Sequence, residues 1–205
     1  MAAKSANDGF FGPEERDAAS GIGRDGASNG GMVISRTKQF SEDQRLVRIS
    51  TLNDKKTGLR RPDAAHLNSP WWMTREMFDW LIGRAFSSSR GVQTIIREQL
   101  LLPPEWTDAD CFVQAYPKKN ISLSAWFGGP RSVEVAGGSG RWIAAGGEAR
   151  ESWLYQLYIP GLNWKNPQNA LNWLEFEGLY NLMPRPGRGG KLYFPCLSAG
   201  KIFAT

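Results

Sequence analysis

The chain has 205 residues, 41% hydrophobic and 22% charged, with a formal net charge of +5 at neutral pH. That length and balance suit one globular domain with a core independent of disulfides or metal, and exclude a low-complexity or fibrous chain. No stretch approaches the ~20 apolar residues of a membrane span, the opening residues carry no basic-then-apolar signal pattern, and Cys111 and Cys196 make no disulfide framework. A reduced, cytoplasmic protein with no membrane partner is expected.

Residues 1–35 are rich in Gly, Ala, Ser and Asp and show no helical or strand period, so they read as a flexible arm ahead of a domain spanning 36–205. All nine tryptophans lie between Trp71 and Trp173, which places the packed body there. Residues 44–52 alternate as a strand does, with Val47, Ile49 and Thr51 against Leu46, Arg48 and Ser50. Ser69 and Pro70 give the cap-then-proline signal of a helix running to about residue 86, and a second helix is expected over 89–102, stopped by Pro103 and Pro104. Short strands follow over 111–116, 121–127, 133–136, 141–145 and 152–159, separated by glycine turns. Asn166 and Pro167 repeat the cap-then-proline signal for a third helix reaching about residue 182, and 192–197 and 202–203 read as closing strands. The expected fold is a single α+β domain: an antiparallel β-sheet, a meander in the middle of the chain, packed by about three helices after a disordered N-terminal arm.

Charge is unevenly distributed. Residues 36–61 hold eight cations against three acids, residues 184–205 hold four cations and no acid, and the body between them is slightly acidic. Basic flanks of this kind attract anions. The strand over 121–127 puts Ile121, Leu123, Ala125 and Phe127 on one face and Trp126 with Ser122 and Ser124 on the other, close to Lys118 and Lys119. An aromatic on a polar sheet face beside lysines is a platform for stacking bases, and the glycine-rich segment carrying Arg185, Arg188 and Lys191 lets cations and backbone amides approach one phosphate. The leading expectation is therefore a binding module for an anionic partner, nucleic acid in particular, using Lys118, Lys119, Trp126, Arg185, Arg188 and Lys191. A subunit that buries its tryptophans against another protein is a further alternative.

The single histidine rules out a histidine-rich zinc site, and neither a metal nor a cofactor is expected. A nucleophilic pair around His66 needs Asp63 and a serine or Cys111 brought in by folding. The glycine clusters at 137–140 and 146–147 precede strands rather than helices, so they read as hairpin turns, not phosphate loops. Arg48 on an early strand, the triplet Ser87-Ser88-Ser89 and the pair Glu175 and Glu177 come in an order that resembles one class of ADP-ribosyltransferases, which use an arginine, a Ser-Thr-Ser strand and a Glu-x-Glu loop. The resemblance implies a nucleotide-dependent transferase with Arg48, Ser88, Glu175 and Glu177 as its catalytic set. In this chain a serine replaces the threonine, and both glutamates fall in the expected third helix, where residues two apart point to different faces.

Overall fold

The structure, a computed structural model, describes residues 4–142, 155–186 and 192–199. Among the described residues, four α-helices and one eight-stranded antiparallel sheet make an α+β domain. The elements are α1 (Pro13–Ser20), β1 (Met32–Phe40), β2 (Leu46–Ser50), a 3-10 turn (Asp63–Leu67), β3 (Trp71–Thr74), α2 (Arg75–Phe86) and α3 (Val92–Leu100). They continue with β4 (Cys111–Pro117), β5 (Leu123–Pro130), β6 (Val133–Val135), β7 (Gly140–Trp142), β8 (Gln156–Tyr158), α4 (Pro167–Trp173) and β9 (Leu174–Asn181). The last three are β10 (Arg185–Pro186), β11 (Leu192–Tyr193) and β12 (Cys196–Ala199).

The sheet order is β1-β5-β8-β3-β2-β4-β9-β12, so the consecutive strands β4 and β5 lie in different halves and most pairing is long-range. The inner faces of both halves share one apolar core, in which Cys111, Val113 and Ala115 of β4 meet Leu123, Ala125 and Phe127 of β5, with Trp72, Trp173 and Phe176. The outer face of the β2–β4 half carries Val47, Ile49 and Phe112. It is covered by α2 and α3, whose buried residues (Met77, Phe78, Leu81, Ile82, Ala85; Val92, Ile95, Ile96, Leu100) recur at helical spacing.

The outer face of the other half carries Trp126 and Tyr158, and the cover here is the segment expected as a flexible arm. Asn7 donates from Nδ2 to Ser124 O at 2.7 Å and to Pro160 O at 3.2 Å, and accepts from Ser124 N at 2.9 Å. Phe11 meets Trp126 edge-on at 4.8 Å, Phe10 meets Trp173 at 5.6 Å, and Tyr158 OH donates to Glu15 Oε2 at 2.6 Å. Gly31, at φ +71°, passes so close to Gly21 that a Cβ would overlap its backbone nitrogen. Apart from the short helix α1, residues 4–31 are thus held largely by single polar pins, ring edges and one glycine crossing, ahead of the β1 ladder.

Two helix boundaries differ from the sequence expectation. Ser69 and Pro70 do not start a helix: Trp71 and Trp72 pair with Tyr158 and Leu157 in β8, and Thr74 caps α2 by accepting from Met77 N at 3.3 Å. The ladder partner outweighs the local cap signal. The third helix does start at Pro167 but ends at Trp173, and the chain passes directly into β9. Leu174 and Phe176 alternate there with Glu175 and Glu177, a period of two that fits a strand.

Candidate functional site

Along the ladder the two halves of the sheet are joined by very little, although they share the inner core. Between β2 and β3 only Leu46–Thr74 and Val47–Met73 are paired, after which the strands part while β2 runs on through Arg48, Ile49 and Ser50. A cavity of about 210 Å³ occupies the gap. Arg48 and Ser50 line it from β2, Trp71 and Trp72 from β3, and Trp106 from the loop after α3, while Arg61 and Arg131 reach it from two further loops. Trp106 is 54% exposed, which marks the side where the cavity meets solvent. Gly30, at φ +73°, lets Trp106 lie against the chain, since a Cβ there would stand 3.2 Å from the indole. The volume is below the ~300–1,000 Å³ of clefts for drug-sized ligands, so the space suits a metabolite-sized molecule.

Charge in this cavity is unbalanced. Arg48 Nη1 donates to His66 O at 2.6 Å and to Ser50 Oγ at 3.4 Å, both neutral oxygens. No carboxylate among the described residues lies within ion-pair distance of it. Burial, with Arg61 nearby, lowers its pKa to about 10, so it remains a cation at neutral pH. Arg61 has Asp54 at 3.9 Å and Arg131 has the Ser20 carbonyl at 3.5 Å. The rest of the basic flank is largely spent: Arg45 pairs with Glu177, Lys55 with Asp108 and Arg60 with Asp63, while Arg36 and Lys38 lie over the rings of Phe127 and Phe40. A guanidinium taken from water without a counter-charge is costly, and an anion in the cavity removes that cost.

His66 is wholly buried in the 3-10 turn behind this wall. Its Nδ1 lies 2.9 Å from Ser50 Oγ, and its Nε2 has no hydrogen-bond partner. Desolvation first, then Arg48 and Arg61, lowers its pKa to about 4, so it is neutral at physiological pH. Folding therefore supplies the serine that a nucleophilic pair around His66 requires. It does not supply the rest: the Asp63 carboxylate is held by Ser198 and Arg60, and burial, with Asp110, pushes the Cys111 thiol up to about 12. So weak a base, on a hydroxyl that also faces a guanidinium donor, does not activate a nucleophile at neutral pH.

The other singled-out residues are dispersed. Trp126 is 8% exposed beneath Phe11 and Tyr158, which leaves no open face for a base. Lys118, just past β4, donates from Nζ to Leu171 O at 2.5 Å and so ties the end of the strand to α4, while Lys119 is exposed in the following turn. Arg185 is exposed on β10, and Arg188 and Lys191 lie outside the described residues. The set resembling an ADP-ribosyltransferase is not brought together. Arg48 pairs across to Val113 and Glu175 to Tyr116, an odd and an even position of β4, so the arginine and that carboxylate occupy opposite faces of the sheet. Glu177 is engaged with Arg45, and Ser88 sits in the α2–α3 turn, accepting from Arg90 N at 3.2 Å.

Sequence reasoning reached Arg48 for another reason and missed Ser50, Arg61, Trp106 and Arg131. One signal was legible: Arg48 and Ser50 share a strand face with Leu46, which is fully buried. Among the described residues there is no cluster of three or more His, Cys, Asp or Glu suited to a metal, and no helix long and apolar enough to cross a membrane. Comparison with protein-family models, with curated proteins and with solved structures returns no match.

Proposed function

We propose that this chain is a binding module for a small, ring-bearing oxyanion, a carboxylate or a phosphate, held in the cavity between β2 and β3. The observation that carries the reading is Arg48: a guanidinium turned into a cavity and satisfied only by neutral oxygens. Arg61 and Arg131 add positive charge, and the exposed Trp106, with Trp71 and Trp72 also in the lining, gives the cavity an aromatic border. This keeps the anionic partner expected from the basic flanks and reduces it from a polymer to a molecule, or a terminal group, that fits about 210 Å³.

The three tryptophans make the test direct. Tryptophan emission is followed during titration with phenyl phosphate, benzoate, the uncharged analogue benzyl alcohol and a single-stranded oligonucleotide. Saturable change with the two anions and none with benzyl alcohol supports the reading. A response to the oligonucleotide alone transfers the function to an extended nucleic-acid surface, and no response to any of the four overturns it. Arg48→Met separates function from folding. It is expected to change stability by no more than about 1 kcal/mol, because relief of a half-buried guanidinium is offset by the donor lost to the His66 carbonyl, while anion binding is lost. Loss of binding through unfolding would show instead as a lowered thermal midpoint.

A further inference from the structure

His66, Ser50 and Arg48 form a chain of contacts from the buried side of the cavity wall to its lining, and the function proposed above makes no use of the imidazole. We infer that the cavity takes up its anion together with a proton, which resides on His66 and is read by the ligand through the Ser50 hydroxyl. The inference rests on the anion-binding reading and adds how that binding is regulated.

The hydrogen-bond inventory carries the argument. With His66 neutral, one ring nitrogen accepts and the other donates. In the inferred resting state the Ser50 hydroxyl donates to Nδ1 while accepting from Arg48 Nη1, and Nε2 carries the proton. In that state Ser50 shows the cavity no hydrogen. Once His66 is protonated, Nδ1 also donates, Ser50 Oγ becomes the acceptor, and its own hydrogen is released toward the ligand. The switch needs no backbone motion, only rotation of one hydroxyl.

The charges around His66 set the direction. Arg48 from β2 and Arg60 and Arg61 from the preceding loop oppose its protonation, and Asp63 of its own turn favours it. β4 presents the Cys111 thiol, α4 has no ionisable side chain, and the β9 residues paired on the Cys111 face (Phe176, Leu179 and Asn181) have none either. An oxyanion beside Arg48 and Arg61 screens two of the three opposing cations and adds an attraction of its own. Desolvation of the ring persists, so the imidazole rises from about 4 but stays short of its ordinary value. Between the free and bound midpoints, binding is accompanied by proton uptake and tightens as pH falls.

His66 is the chain's one histidine, so a single imidazole signal in histidine-selective NMR reports on it in the unmodified protein. The probe is benzenesulfonate, which stays fully ionised across the range, so any proton taken up belongs to the protein. Expected is a His66 midpoint raised by about one unit on saturation, with affinity about twofold tighter at pH 5 than at pH 7. In Ser50→Ala the ratio of affinities at pH 5 and pH 7, taken within the variant, should shrink, because only the screening of Arg48 and Arg61 then couples ligand to imidazole. Binding with an unmoved His66 midpoint overturns the proton coupling and leaves the anion site standing. Tightening undiminished in Ser50→Ala overturns the relay through the hydroxyl. No benzenesulfonate binding at any pH, in a protein that stays folded, removes the anion site and the coupling with it.

Discussion

The two halves of the sheet bury their outer faces by different chemistry. Over β2 and β4 the cover is two amphipathic helices that contribute a continuous apolar stripe, with Phe78 against Phe112 at 4.5 Å. Over β5 and β8 the cover is a mostly irregular segment with one short helix, α1, attached through Asn7, Glu15 and the edges of Phe10 and Phe11. A stripe spreads its stabilisation over many interchangeable methylene groups, whereas a pinned segment concentrates it in a few groups of fixed geometry. Along the ladder the halves meet at only two residue pairs, and it is this minimal seam that leaves room for the Arg48 cavity.

The largest expected effect tests whether the pinned cover is as integral as the helical one. Trp126→Ala should cost about 3–5 kcal/mol in denaturant unfolding, as much as Phe78→Ala, because both rings are buried between sheet and cover. A cost for Trp126→Ala under about 1 kcal/mol would mean that the N-terminal segment does not seal its half.

Much of the helical half was legible from the sequence and much of the pinned half was not. The stripe of α3 and the alternation of β2 are periodic, and period is what a sequence displays. Asn7, Glu15 and Gly31 act singly against partners more than a hundred residues away or across a chain crossing, and nothing local announces such a role. The site was hidden for the same reason: Arg48, Arg61 and Arg131 come from three separate segments and meet where two strands part. The arginine on an inward strand face was readable; the missing counter-charge was not.

Acid should act on the helical half through His66, which is buried against the inner side of β2. Its pKa is lowered from an ordinary value near 6.5 to about 4 in the folded protein. Between those values the unfolded chain binds the proton and the folded one does not, so stability falls as pH drops from 6.5 and stops falling below about 4. The loss from this one group is roughly 3 kcal/mol across that window. Unfolding followed in urea at pH 7, 5.5 and 4.5 measures it, and His66→Gln should flatten this part of the pH dependence. A wild-type profile no steeper than that of the variant would show that the imidazole stays solvated in the folded state.

The smallest expected effect sharpens the comparison most, because it concerns where stability is lost rather than how much. Asn7 satisfies the amide and carbonyl of Ser124 together with the carbonyl of Pro160, and its side chain is fully buried. Asn7→Ala leaves those three backbone groups without a side-chain partner and should cost about 1–3 kcal/mol. The helical cover shares none of these contacts, so hydrogen exchange should quicken over residues 5–20 and in β5 while α2 and α3 keep their protection. Equal loss of protection in both covers would mean that the halves unfold as one unit and that the seam, despite its two pairs, transmits the disturbance. Loss confined to the N-terminal side would show two covers of independent stability on a single sheet, with the anion cavity at the boundary between them.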